Sequence, residues 1–310
     1  MAAIVYACEL TILSIGFTLT YLTAKIPNFA HGTYAGLGIF TSWIMDRVFN
    51  TSPYYGFPFA FIVGGIFSVL VYVVVVNTLT KLGGGAIVMT IGTLAIQIFL
   101  QAFLWIFSYW LRAMTGLYTT GFLLKRTDFV LFDTPGIFYV SLGTSIVSIL
   151  VLHWMLTKTK TGIAMRATSE DTELSAVLGI NVNQIQTFAW FLTGGLAGLS
   201  GAMVPMWFAS SAGTAGGMQT SIMAGSLLGG FTNMYGAIIG GFSIGMLEIL
   251  LTFQLQQSIG TWVGEYRPLV PMIVLVLVLI VEPNGLQGVY SRLMASETGE
   301  KILKALGRGD

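Results

Sequence analysis

Charge is what this chain has least of. Its 310 residues include 14 Lys and Arg and 13 Asp and Glu, 9% of the total, where a soluble domain carries about 25%. Too few polar side chains remain to cover a globule of this length in water. The shortage excludes a soluble enzyme and a disordered chain. It also excludes nucleic acid as a partner, because no basic face can be assembled. Cysteine is nearly missing: Cys8 stands alone, so there is no intrachain disulfide framework. His31 and His153 are the only histidines, which rules out a metal site built on several of them. No lysine follows a glycine, so the G-x-x-x-x-G-K-[ST] phosphate loop is absent. The chain is therefore expected to be no enzyme and to bind no cofactor of its own. A basic stretch ahead of the first apolar run is lacking too. The first basic residue is Lys25, so the N-terminus does not read as a cleaved signal.

What is present is apolar: 55% hydrophobic residues and 38 glycines. The expected fold is all-α, a polytopic transmembrane bundle of about eight or nine spans with one or two broken or re-entrant helices. A crossing needs about 20 mostly apolar residues. Candidate spans are 2–23, 29–47, 57–80, 86–111, 136–157, 185–207, 219–232, 234–254 and 268–282. The 29–47 segment is weak because it is rich in glycine and polar residues. The 219–232 segment is too short for a straight crossing, and a broken helix is tolerated only where its backbone is buried in protein or lines a watery cavity.

Nine crossings put the two termini on opposite sides. One side collects Lys25, Lys81, Lys158, Lys160, Arg166, Arg292, Lys301, Lys304 and Arg308; the other collects Arg47, Arg112, Lys125, Arg126 and Arg267. The positive-inside bias then places the 158–184 loop and the C-terminus in the cytoplasm and the N-terminus outside. The expected organisation is a membrane domain over 1–290 and a cytoplasmic tail over 291–310. The pairs Gly32/Gly36, Gly194/Gly198, Gly236/Gly240 and Gly241/Gly245 have the spacing that lets membrane helices approach closely.

The 158–184 loop gathers six charges and predicts a short helix over 169–178. Thr168 would cap it with Asp171 three residues on, Glu170, Asp171 and Glu173 would favour its first turns, and Gly179 would close it in a left-handed conformation. Leu174, Val177 and Leu178 form an apolar stripe on one face. That stripe packs on the underside of its own bundle or at the lipid interface, or else in a groove of a cytoplasmic partner.

Polar residues inside the apolar segments are candidates for a translocation path. Glu248 lies in mid-segment, where a carboxylate costs at least about 2.5–3.5 kcal/mol. It is either functional or an interhelical bond. Glu9 lies nearer the end of its span, within reach of water. Thr90, Thr93, Gln97 and Gln101 line one segment and suit an uncharged polar path or interhelical glue. Asn28 and His31 sit where Pro27 breaks the first run, with Asn28 placed to cap the next helix.

Gly16-Phe17-Thr18-Leu19-Thr20-Tyr21, followed by Asn28-Phe29-Ala30-His31-Gly32, resembles the N-terminal signature of branched-chain amino-acid permeases, the membrane subunits of ATP-binding-cassette importers. Gly162-Ile163-Ala164-Met165-Arg166-Ala167, Glu170-Asp171, Ala176 and Leu178-Gly179-Ile180-Asn181-Val182 resemble the family's cytoplasmic coupling loop almost position by position. Leu196 to Gly201, Leu228-Gly229-Gly230, Gly236 to Gly241 and the closing Pro283-Asn284-Gly285-Leu286-Gln287-Gly288 extend the likeness over about 16–288. The resemblance implies two cytoplasmic ATPase subunits, which hydrolyse the ATP, together with a sister permease and an external binding protein. The Asn-Phe-Ala-His-Gly form is similar to one of two permease sisters, which implies a heterodimer. It further implies that Arg166, Glu170, Asp171, Leu174, Ala176, Val177, Leu178 and Gly179 meet the ATPase. Lys25 and Glu282 depart from the family pattern, which has a small or apolar residue and an arginine there. An amide or urea importer shares these motifs, and an ion-coupled carrier using Glu248 is the rival of another class. A channel would need a charged ring, and no candidate for one is found.

Overall fold

A computed structural model describes residues 1–282 together with Gly285 and Gly288. The tail 291–310 lies outside the described residues, as does the closing motif apart from those two glycines. Among the described residues the chain is a bundle of α1 (Ala2–Ala24), α2 (His31–Arg47), α3 (Gly56–Val71), α4 (Asn77–Lys81), α5 (Ala86–Thr115), α6 (Gly136–Lys158), α7 (Lys160–Glu170), α8 (Thr172–Val177), α9 (Val182–Met203), α10 (Thr214–Gly229), α11 (Met234–Ser258) and α12 (Leu269–Val281). A π-helical turn at Tyr72–Val76 joins α3 to α4 without a break. The sole sheet among the described residues pairs Val130–Leu131 with Thr134–Pro135 between α5 and α6.

Six stretches are long and apolar enough to cross a membrane: α1, Pro53–Lys81, α5, α6, Val182–Met206 and α11. The other three expected spans are shorter helices of 17, 16 and 13 residues: α2, α10 and α12. Seventeen residues rise only about 25 Å, short of a hydrocarbon core of about 30 Å. The two segments that read as weak are thus short helices. The 219–232 segment is shifted, however: its helix begins at Thr214 and ends at Gly229, where Gly230 takes a φ of 96°. The 86–111 helix runs on to Thr115 and stops at Gly116, whose φ of 71° lets its N–H return to the Arg112 carbonyl.

The centre of the bundle is α1. Its apolar window is 89% buried, whereas that of α5 is 17% buried and faces outward. Around α1 lie α6, α9, α10 and α11. Small residues make this density possible. A Cβ on Gly194, Gly198 or Gly201 of α9 would strike the carbonyl oxygen of Gly64, Ala60 or Ala35. On α11, Gly236, Gly240 and Gly245 meet Gly229, Gly225 and Ala7 in the same way, and on α2 Gly32 and Gly36 meet Ala215 and Leu104. All four glycine pairs noted in the sequence sit at close approaches, most of them to the backbone of a neighbouring helix and, for Gly36, to the Leu104 side chain.

The bundle has two ends. One carries the C-terminus of α1, the segment 158–184 and the start of α11; the other carries the start of α1, the end of α9, the start of α10 and residues 264–268. The first is called the loop face below, the second the far face.

Candidate coupling surface and transport path

At the loop face, α7 turns sharply off α6. Thr159 caps it by accepting the Gly162 N–H at 3.1 Å, and Gly162 packs on the backbone of Met155 and Leu156, where a Cβ would collide. The helix expected over 169–178 is in fact two. α7 ends at Glu170, Asp171 is extended (φ −144°, ψ 107°), and α8 follows. Asp171, not Thr168, is the cap: its Oδ1 accepts the Leu174 N–H at 2.9 Å. An aspartate outcompetes a threonine as a cap, and Thr168 is inside α7 with its hydroxyl bonded back to Ala164 and Met165. Glu170 therefore closes a helix and does not open one. Gly179 has the expected left-handed φ of 86°. Its N–H reaches the Ala176 carbonyl, and the Ile180 N–H reaches that of Ser175, a Schellman closure.

Between these two locks, α8 buries Ser175 and turns its apolar residues outward. Leu174 is 55% exposed, Val177 84% and Leu178 72%. The choice left open by the sequence is narrowed: the stripe does not pack on this chain's own bundle. Arg166, Glu170, Asp171, Ala176 and Gly179 are exposed beside it. Lys25 closes α1 with a left-handed φ of 56°, a conformation that costs a side chain about 1–2 kcal/mol and a glycine almost nothing.

In the interior, the residues 27–30 between α1 and α2 form an elbow that returns into the bundle. His31 begins α2, yet its Nε2 lies 3.0 Å from the carbonyl of Leu13, the middle of α1. Non-helical backbone at that depth needs every polar group met, and two side chains from distant helices meet them. Thr93 of α5 accepts the Phe29 N–H and donates toward the Pro27 carbonyl. Gln219 of α10 accepts the Gly32 N–H at 2.7 Å and donates to the Asn28 carbonyl at 3.4 Å. Asn28 accepts the Ala30 N–H within the turn and does not cap α2, whose N-cap is Ala30 with no side-chain bond. Of the proposed path residues, Asn28, His31 and Thr93 meet here, all fully buried. Gln219 belongs with them and was missed. Its only sequence signal was an amide inside a glycine-rich apolar segment. Thr90 bonds back to its own helix. Gln101 donates to the Ala212 carbonyl at 2.8 Å, and Gln97 is half-buried on α5.

Glu248 stands elsewhere, toward the far face. It is buried, accepts from the Tyr6 hydroxyl at 3.0 Å and forms an ion pair with Arg267 Nε at 2.7 Å. The guanidinium lies 4.0 Å above the Tyr6 ring and 5.4 Å from that of Phe208. Arg267 had stood only as one of five basic residues on the outer side. Glu9 does not reach water: it is fully buried, and neither carboxylate oxygen has a hydrogen-bond partner among the described residues. A Gly-x-Ser-x-Gly spacing occurs at Gly241–Gly245, but inside the continuous helix α11. The strand-to-helix turn of a nucleophile elbow is missing there.

A bundle of apolar helices around a glycine-packed centre, with polar groups buried along it and an apolar knob at one end, is that of a polytopic membrane protein. Residues 1–279 match the family described as the branched-chain amino acid transport system permease component, and the chain belongs to that family. It is 35% identical over 287 residues to the probable branched-chain amino acid transport permease protein LivH of Methanocaldococcus jannaschii, covering 93% of this chain and 91% of the relative. It is 23% identical to the high-affinity branched-chain amino acid transport system permease protein BraD of Pseudomonas aeruginosa over 290 residues, 89% and 91% of the two chains. Among solved structures, PsaBC from Streptococcus pneumoniae in complex with Fab shares the fold, with a TM-score of 0.51 over 91% of each chain at 15% identity.

Proposed function

We propose that this chain is the non-catalytic membrane subunit of an ATP-binding-cassette importer that moves leucine, isoleucine and valine inward across a prokaryotic plasma membrane. Residues 1–290 form the membrane domain. The 158–184 segment and the tail 291–310 face the cytoplasm, and the N-terminus is outside. Two ATPase subunits bind the loop face and hydrolyse the ATP. A sister permease completes the pathway, and an external binding protein delivers substrate to the far face.

The observation that carries this reading is the exposed edge of α8. Burying a side chain the size of leucine or valine stabilises by about 1.5–3 kcal/mol, so Leu174, Val177 and Leu178 left in water represent a docking surface awaiting its groove. The caps at Asp171 and Gly179 make a six-residue helix stiff enough to transmit force. ATP-driven closure of the partner pair would shift the bundle between inward-open and outward-open states by stabilising one over the other. The ion pair of Glu248 with Arg267 gives that carboxylate a structural partner within the chain, which favours the packing role over an ion-coupled carrier.

The test is Leu174→Arg in the assembled importer. Substrate-dependent, ATP-driven uptake into vesicles should be lost while the subunit still inserts and keeps its thermal midpoint. Unchanged uptake overturns the reading.

A further inference from the structure

At the far face a pocket of about 500 Å³ opens between the start of α1, the end of α9, the start of α10 and the 264–268 segment. Val204, Phe208 and Met218 give it an apolar wall, while Arg267 and Glu265 bring opposite charges to the same space. Arg267 is not a loose surface cation. Glu248 holds its Nε at 2.7 Å, the Tyr6 ring lies beneath it at 4.0 Å, and its side chain is 26% exposed. Glu248 thus commits one edge of the guanidinium, the Phe208 ring lies 5.4 Å from it, and the side chain lines the pocket. A guanidinium fixed in this way presents a planar fork suited to a carboxylate. Glu265, exposed at the rim, suits an ammonium.

One helical turn further into the bundle, on the same face of α1 as Tyr6, lies Glu9. Its carboxylate is fully buried with both oxygens unpartnered among the described residues. It is a second group suited to a cationic head, placed deeper than the pocket. An isolated carboxylate at such depth is expensive unless a partner arrives.

We infer that this pocket is the entry subsite for the zwitterionic head of an apolar α-amino acid: Arg267 takes the carboxylate, Glu265 takes the ammonium, and the wall of Val204, Phe208 and Met218 takes the side chain. Glu248 and Tyr6 are positioning residues, acting through Arg267. The inference rests on the function proposed above and extends it to a recognition step made by the permease itself, after the binding protein has let go.

The experiment measures equilibrium binding to the purified complex of this chain with its partner subunits, without the binding protein. The probes are leucine, leucinamide (no carboxylate) and 4-methylpentanoate (no ammonium). The intact complex should bind leucine at least tenfold more tightly than either truncated probe. Arg267→Lys should weaken leucine at least tenfold and erase its advantage over leucinamide. Glu265→Gln should erase its advantage over 4-methylpentanoate, and this variant stands even if Arg267→Lys fails to assemble, because Glu265 is outside the core. If Arg267→Lys weakens all three probes equally, its role is structural and the subsite is overturned. Equal binding of the three probes to the intact complex overturns it as well. If the complex, once supplied with its binding protein, imports leucine with ATP yet on its own binds none of the probes, this inference fails and the proposed function stands. If it imports no branched-chain amino acid, both fail.

Discussion

The loop segment around α8 and the elbow around Asn28 solve opposite problems. α8 is held by its own neighbours in sequence: Asp171 caps it three residues from Leu174, and Gly179 closes it onto Ala176. Its apolar side chains are left in water. The elbow is held by residues from far away, Thr93 and Gln219, and leaves almost nothing exposed. Stability should therefore reside in the second region and communication in the first. Substitutions in the two regions should fail in different ways.

The largest effect belongs to the buried packing of α9 on α3, in the core outside both regions. Gly198→Val places a side chain on the Ala60 carbonyl and the Gly64 backbone. No folded subunit should be recovered on size-exclusion chromatography. Next, Glu248→Ala leaves Arg267 without its buried partner, a loss on the order of 3–5 kcal/mol. The thermal midpoint in detergent should fall steeply. Gln219→Leu strands the Gly32 N–H at the elbow, at about 1–3 kcal/mol for that unmet group, while the Asn28 carbonyl keeps the His31 N–H. A drop in midpoint with faster hydrogen exchange across 28–33 would reveal it. Smallest in stability is Asp171→Ala, a lost cap of about 1 kcal/mol. The midpoint should hardly move, while exchange at 172–178 rises and ATP-driven uptake drops. If Asp171→Ala lowers the midpoint as far as Gln219→Leu does, the contrast between the regions is wrong.

The same contrast explains what could be read in advance. Span positions followed from apolar run lengths, and the glycine pairs from their spacing, because both are local quantities. The loop was nearly legible for the same reason. Gly179 and the stripe of Leu174, Val177 and Leu178 stood in the sequence, and the error of taking Thr168 as the cap lay within three residues of the answer. The elbow was not legible. Nothing in the run Pro27 to Gly32 states that its backbone groups are met by Thr93 and Gln219, 64 and 187 residues away from Phe29 and Gly32. Glu248 was noticed as a buried charge, but its partner Arg267 follows the short 3-10 turn Thr261–Tyr266, beyond the end of α11. Glu9 was misplaced because its distance from the chain end was mistaken for distance from water. α1 is surrounded on all sides, so even its outer turns are buried.

The elbow also has a consequence for how the protein is made. α1 and α2 emerge from the ribosome ahead of α10, and the side chain that satisfies Gly32 is translated 187 residues later, roughly 10–40 s behind at about 5–20 residues per second. Until then the turn between α1 and α2 has polar backbone that hydrocarbon cannot tolerate. The first two helices must wait, either held near water or shielded by the insertion machinery, and they take their final depth only when α10 arrives. Two helices made well before α10 are thus finished only after it.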